Sequence, residues 1–430
     1  MTTTETPAST SDAAPSPGMS DLIGSGQEGT VVDQIRSWLQ RVRQGDMGAL
    51  PAVAGFVVLS ILFSLLSQFF FTPLNFANLL TQAATLVMLA MALVFVILLG
   101  EIDLSAGVTS GVAAALFVVL SNPSGFNLNW ILALGVSLLF GVATGTFIGF
   151  FVSRIGVPSF VVTLGLFLGF QGLTLTIIGA GGLYRVQTPE IKAIMNSNMP
   201  VWAGWVMLAI IIGVSAATSF WDRYRRTRAG VPNRNITFVW IKLGVILVLG
   251  GTVIGVLSIN RSQSIIPISG VPIVVPITLF ILWVGTFVLD RTRFGRYIYA
   301  IGGNAEAARR AGVKVVMIRW TAFIVCSSLA VVAGIFSASK VGSVDAAAGR
   351  DIVLSGVAAA VVGGVSLFGG RGRLLHAAIG ALVIAVITNG LGLLNLPAGV
   401  NFLVTGGVLI LAATVDALSR VRAGGTLIRA

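Results

Sequence analysis

The sequence predicts an all-α polytopic integral membrane protein of about twelve transmembrane helices, laid out as an inverted repeat of five spans, two inserted spans and five spans, with both termini inside. Three observations predict it. Of 430 residues, 56% are hydrophobic and 10% charged, with a mean hydropathy of +0.96; soluble domains carry about 25% charged residues. Uncharged stretches recur at the length a helix needs to cross about 30 Å of hydrocarbon, about 20 residues. Two short blocks of sequence recur at a spacing that turns the second copy upside down.

Residues 1–30 are rich in Ser, Thr, Pro and Gly and hold acids but no Lys or Arg. That is the composition of a disordered tail, without the basic flank and apolar core of a cleaved signal. Val31, Ile35, Trp38, Leu39 and Val42 then fall at helical spacing beside Arg36, Arg41 and Arg43, so an amphipathic helix, on lipid or in the cytoplasm, completes region 1–48. The transmembrane region is 49–430. Spans of the first repeat (49–180) are expected near 49–71, 79–100, 106–121, 129–153 and 158–179. The inserted spans (201–258) lie near 201–221 and 236–258. Those of the second repeat (272–418) lie near 272–289, 318–339, 352–368, 374–394 and 399–418.

With the N-terminus inside, 21 basic residues fall on inner stretches and 5 on outer ones, with Lys242 at the inner end of a span. The cytoplasmic bias of Lys and Arg therefore sets N-in, C-in. It also accounts for the net charge of +12 and removes nucleic acid as its meaning. The single cysteine, Cys326, leaves no intrachain disulfide or cysteine metal site, and packing is its expected role. No metal site and no catalytic residue are expected: one histidine and scattered carboxylates make an integral-membrane transferase the weakest alternative. No Gly-x-x-x-x-Gly-Lys-[Ser/Thr] loop occurs, so this chain does not cradle a nucleotide by that route.

The repeat is carried by Ile102-Asp103-Leu104-Ser105-Ala106-Gly107 ahead of Ser110-Gly111-Val112-Ala113-Ala114-Ala115. It returns as Val344-Asp345-Ala346-Ala347-Ala348-Gly349 ahead of Ser355-Gly356-Val357-Ala358-Ala359-Ala360. In the following spans Gly141 leads to Pro158 and Gly380 to Pro397 at the same separation. These matches pair spans 3 and 4 with spans 10 and 11, and an odd shift reverses orientation. Inverted repeats with helices broken at corresponding positions are how alternating-access transporters build a central pathway.

The long basic inner segment from Asp290 to Arg319 holds Gly302-Gly303-Asn304-Ala305-Glu306-Ala307-Ala308-Arg309-Arg310-Ala311-Gly312. Asn304 suits an N-cap, Glu306 the first turn, where the helix dipole favours an acid, and Gly312 the C-terminal cap. A short surface helix is expected, with Ala305, Ala308 and Ala311 free for close contact with a cytoplasmic partner. With Gly100-Glu101-Ile102-Asp103-Leu104-Ser105-Ala106-Gly107, Pro158-Ser159-Phe160-Val161-Val162-Thr163-Leu164-Gly165, Gly363-Gly364-Val365-Ser366-Leu367-Phe368-Gly369-Gly370-Arg371-Gly372 and Asn389-Gly390, the chain from about residue 50 onward resembles the sugar permeases of the ribose, xylose and galactose class of ABC importers. The two extra spans resemble the longer xylose permeases. Gln171 departs from the arginine frequent there, and Arg373 from a small residue.

The resemblance implies a multi-pass permease of the bacterial cytoplasmic (inner) membrane that is not itself an enzyme. It implies a homodimer, cytoplasmic ATP-binding subunits that hold ATP and Mg, and an extracytoplasmic sugar-binding protein, with xylose as the first expected sugar. Gly302, Gly303, Asn304, Glu306, Ala307, Ala308, Ala311 and Gly312 would form the coupling loop to the ATPase. A proton-coupled sugar symporter is the alternative, since Asp290-Arg291 and Gly295-Arg296 resemble its inner loop, but two parallel halves would give an even shift.

Glu101, Asp103, Ser105, Gln171 and Asn389 are the pathway candidates, because polar groups within a membrane need water or a partner. By span count Glu101 and Asp103 fall near the inner end of span 2. Capping of span 3 by Asp103 needs no substrate, and interhelical hydrogen bonding is the commoner fate of Gln171 and Asn389. Lys340, Asp345, Arg350 and Asp351 cluster outside before span 10 and are the candidates for docking the binding protein.

Overall fold

The computed structural model describes residues 48–422 apart from 124, 232, 234, 263 and 264. The tail and amphipathic helix expected up to residue 47 lie outside the described residues, as does Arg234 of the inner cluster. In chain order the elements are α1 (Leu50–Leu66), α2 (Pro73–Ile97), α3 (Ala106–Ser121), α4 (Trp130–Phe150, prolonged by a π turn over Phe151–Ile155), α5 (Ser159–Ile178), β1 (Leu183–Arg185), α6 (Pro189–Asn196), α7 (Val201–Arg228) and α8 (Thr237–Ser258). There follow α9 (Val274–Arg291), α10 (Arg293–Gly303), α11 (Ala305–Arg310), α12 (Val315–Val341), β2 (Ser343–Asp345), α13 (Ile352–Val362), α14 (Leu374–Leu393) and α15 (Ala398–Arg422). Among the described residues nine helices are long and apolar enough to cross a membrane, and α1, α3 and α13 are apolar but shorter.

Each expected apolar stretch holds a helix, and the boundaries differ where local chemistry dictates. α2 begins at Pro73 rather than near 79, because the Thr72 hydroxyl accepts the Asn75 N–H (3.3 Å) and proline suits the first helical turn. α13 stops at Val362 rather than 368. Gly364 turns left-handed at φ +89°, and the Val365 N–H folds back onto Ala360 O (3.0 Å), which closes the helix. The chain is not wholly helical: β1 and β2 pair antiparallel, with Tyr184 opposite Val344.

Two long helices make the centre. Of their apolar windows 78% is buried for α2 and 61% for α12, against 11% each for α7 and α8 and 6% for α15. The packing is reciprocal. α2 lies against α13 and α14, α12 against α3 and α4, α3 against α5 and α13 against α15, while α2 and α12 touch each other. Small residues permit the approach: a Cβ on Gly145 of α4 would collide with the Phe323 and Ile324 backbone of α12.

The α7–α8 pair is an excursion closed at its base. Met199 N–H donates to Val271 O (2.8 Å) and Ile273 N–H to Ser197 O (3.0 Å), with a bridge between Asn198 and Pro272. Buried Arg261 ties the return loop, donating to Leu257 O (2.6 Å), Gly270 O (3.0 Å) and Asn198 Oδ1 (3.2 Å). At the opposite end, Arg291 of α9 holds Asp222 of α7 through two hydrogen bonds of 3.0 and 2.7 Å.

Candidate functional site

α2 ends where Gly100, at φ +78°, lets the Glu101 N–H donate to Val96 O (3.1 Å) and its own N–H to Ile97 O (2.9 Å), a Schellman ending. Glu101 to Asp103 then run without helical bonds until α3 begins at Ala106. Non-helical backbone at membrane depth survives only where protein or a water-lined cavity satisfies it. Here α5 supplies the partners: Ile102 N–H donates to Ser159 Oγ (3.3 Å), and Thr163 Oγ1 donates to Ile102 O (3.3 Å).

Asp103 is fully buried. Its Oδ1 accepts the Ser105 N–H (2.9 Å) and hydroxyl (2.6 Å), and its Oδ2 faces the Cys326 thiol at 3.6 Å. Cys326 stands about 17 Å along α12 from Val315, at about 1.5 Å per residue. Asp103 is therefore well inside the bundle, which corrects its expected position at the inner end of span 2. The reason is the break itself, since the chain climbs back along α12 before α3 starts. Glu101 lies lower, paired with Arg319 near the start of α12 (Nε to Oε1 3.3 Å), and both side chains are largely buried. The Arg319 Nε–H is not aimed at the oxygen, so the contact is an ion pair rather than a hydrogen bond.

The second repeat block meets the first. A Cβ on Gly107 would collide with the Gly349 carbonyl, and one on Gly349 with the Gly107 carbonyl. The loop ahead of α13 thus reaches the first turn of α3, and two corresponding breaks in the sequence become one contact in space.

Glu101, Asp103 and Ser105 are brought together, but Gln171 and Asn389 are not with them. Asn389 exchanges paired amide hydrogen bonds with Asn75, 2.9 Å in each direction, near the start of α2. That is about 33 Å along the helix from the end of α2, at about 1.5 Å per residue. Gln171 is half-buried on α5 with no hydrogen-bond partner among the described residues. Lys340, in the last turn of α12, and Asp345, Arg350 and Asp351 beyond it are all exposed, at the end opposite Arg319. Arg350 and Asp351 approach to 3.8 Å, and Asp345 Oδ1 accepts the Ala347 N–H (2.9 Å).

At the Arg319 end, α10 and α11 form an elbow. Thr292 caps α10, accepting the Gly295 N–H (3.3 Å), and Asn304 caps α11, accepting the Ala307 N–H (2.9 Å). Gly312, at φ +82°, closes α11 with Val313 N–H on Ala308 O (3.0 Å). Ala308 is buried in this chain's own core, which corrects the expectation of a free alanine face. The Schellman ending folds the chain back over Ala308, leaving Glu306, Ala307, Arg309, Arg310 and Ala311 outward.

The elbow touches the break through glycine. Gly302 lies so close to Leu98 O that a Cβ would overlap it, and the same oxygen accepts the Gly370 N–H (2.8 Å). Three chain turns, at Leu98–Gly100, Gly302–Gly303 and Gly369–Gly370, therefore share one junction. Tyr299 of α10 braces it by donating to Gly372 O (2.9 Å), and burial pushes this phenol up to about 12, so it stays a donor at physiological pH.

From the sequence alone Ser159 and Thr163 carry no assigned role, Arg319 is one more inner basic residue and Cys326 is a packing residue. The available signals were two hydroxyls one helical turn apart at the start of an apolar span, and a cation at the mouth of another.

Comparison with known proteins gives three likenesses. The family described as "Branched-chain amino acid transport system / permease component" matches residues 75–238 and 234–413. The xylose transport system permease protein of Escherichia coli (strain K12) is 33% identical over 350 residues, 81% of this chain and 86% of that protein. The ribose import permease protein of Escherichia coli (strain K12) is 30% identical over 364 residues, 84% of this chain and 91% of that protein. No solved structure matches.

Proposed function

This chain belongs to the family of branched-chain amino acid transport system permease components, and on that premise we propose that it is the membrane subunit of an ATP-driven importer of a monosaccharide, xylose first. The xylose and ribose permeases above support the sugar, and the inserted α7–α8 pair supports xylose over ribose. The chain is a transport subunit rather than an enzyme; ATP and Mg belong to cytoplasmic partner subunits, and an extracytoplasmic sugar-binding protein delivers the cargo. Its place is the bacterial inner membrane, with twelve spans in the inverted five, two, five layout and both termini inside. Reciprocal packing and the Gly107–Gly349 contact support that layout.

The single observation that carries the mechanism is the glycine junction. The α10–α11 elbow rests on Gly302 against Leu98 O, and Leu98 leads within a few residues to the Glu101–Ser105 break. Movement of the elbow on the ATPase shifts the end of α2, and with it the Glu101–Arg319 pair and Asp103. The break and its counterpart at Gly349 open and close as a pair, and the pathway alternates between the two sides.

Two copies of the chain form the dimer through α5 and α15. On α5, Gly165, Gly169 and Gly172 face open space, as do Gly406 and Gly407 on α15; small residues at helical spacing let membrane helices approach closely. Gln171 would find its hydrogen-bond partner across this contact. The exposed charges Lys340, Asp345, Arg350 and Asp351 serve as the docking surface.

The test is uptake by proteoliposomes holding the chain with its ATP-binding and sugar-binding subunits, offered labelled xylose, ribose or leucine. Xylose uptake that needs ATP and the binding protein is expected. Leucine uptake without sugar uptake would refute the substrate class, and uptake driven by a proton gradient without ATP would favour a symporter.

A further inference from the structure

The Asp222 end of the α7–α8 insertion carries a face that the importer reading does not use. Ala217, Phe220, Trp221, Tyr224 and Arg228 follow one another along α7 and line an open cleft of about 540 Å³. Phe220, Trp221 and Tyr224 are exposed, and Trp240 of α8 meets Phe220 edge-on with ring centroids 6.4 Å apart. Arg225, Arg226 and Arg228 are exposed on the last turns. Asp222 is the acid of this helix, and its two oxygens are already taken by Arg291 at 3.0 and 2.7 Å. Asp222 also lies within electrostatic reach of Arg225 and Arg226, but one acid against Arg291, Arg225, Arg226 and Arg228 leaves this end of the insertion net positive.

The order along the face is apolar, then aromatic, then cationic, over about 16 Å at about 1.5 Å per residue. A phospholipid leaflet presents the complementary order: acyl chain, ester region where Trp and Tyr prefer to lie, then phosphate, which draws Lys and Arg when the lipid is anionic. We propose that this face binds one anionic phospholipid. Its phosphate would lie on Arg225 and Arg228, its ester region against Trp221 and Tyr224, and an acyl chain along Phe220 and Ala217. The lipid would then hold the insertion beside Arg291, the residue that ends α9 next to the elbow.

Native mass spectrometry of the purified full chain in neutral detergent tests this, with phosphatidylglycerol and phosphatidylcholine of matched chains titrated at low salt. This measurement depends neither on transport nor on sidedness, so its failure is distinct from failure of the importer reading. Each cation near an anionic lipid contributes about fivefold in affinity, so the wild type should prefer phosphatidylglycerol by about thirtyfold. Arg225→Gln/Arg228→Gln should lose that preference, and Arg185→Gln, on β1, should keep it. Brominated phosphatidylglycerol should quench the wild-type tryptophan fluorescence more than that of Trp221→Phe, a variant that leaves the arginines in place. Equal retention of both lipids by the wild type, an unchanged preference in the double variant, or equal quenching of Trp221→Phe would overturn the proposal. Displacement of the lipid by soluble glycerol phosphate would assign a free-anion site and overturn it too.

Discussion

Replacing Gly302 by alanine puts a methyl group where Leu98 O now lies, between two stretches of backbone that have no flexible side chain to yield. Overpacking of this kind costs about 1–3 kcal/mol. Moving Leu98 O also strains its bond from the Gly370 N–H (2.8 Å), worth about 0.5–1.5 kcal/mol. Gly302→Ala should therefore cost about 2–4 kcal/mol at the junction, and the chain can relieve it only by parting the elbow from the end of α2. Gly303→Ala is the control one residue away: nothing lies within 4 Å of its added Cβ, and alanine favours a helix by about 0.5–1 kcal/mol. The assay is the complex purified in lipid with its ATP-binding subunits, measuring thermal midpoint, co-purified ATPase, basal hydrolysis and the stimulation by sugar-loaded binding protein. Gly302→Ala should keep the ATPase bound while its stimulated-to-basal ratio falls toward one, and Gly303→Ala should keep the wild-type midpoint and ratio. Equal behaviour of the two variants, or full stimulation in Gly302→Ala, would refute the reasoning.

Asn389→Leu should lower the thermal midpoint, because it removes both 2.9 Å bonds to Asn389 and leaves the buried Asn75 amide only Phe70 O (2.9 Å), its own oxygen unpaired, at a cost of about 1–3 kcal/mol; Asn75→Leu/Asn389→Leu should recover part of it, and a double variant worse than the single would contradict this. Asp103→Leu should abolish uptake by freeing the Ser105 N–H at the start of α3, whereas Asp103→Asn keeps one acceptor oxygen and should retain part of it, so equal loss in both would point to the charge rather than the hydrogen bond. In a Cys326→Ser background, single cysteines at 222–235 should resist an impermeant thiol reagent added outside while those at 180–200 react, and labelling of 222–235 would reverse the orientation.

The sequence by itself determined what depends on neighbours along the chain or on lipid as a uniform solvent. Apolar length located the apolar helices, nine of them among the described residues long enough to cross a membrane, and Lys/Arg bias set the expected sidedness. Asn304 and Gly312 announced the ends of α11, because a cap is made within one turn. The paired blocks around Gly107 and Gly349 singled out two segments that the structure brings into contact. What the sequence could not say was which side of each helix faces protein. In lipid both faces are apolar, so α2, 78% buried, and α15, 6% buried, carry much the same signal. Tertiary packing alone sent Ala308 inward. It also gave Asn389 a partner 314 residues away and let Ser159 and Thr163 satisfy a break 57 and 61 residues before them. Those contacts follow from how helices far apart in the chain pack on one another, a long-range event that no local run of residues encodes.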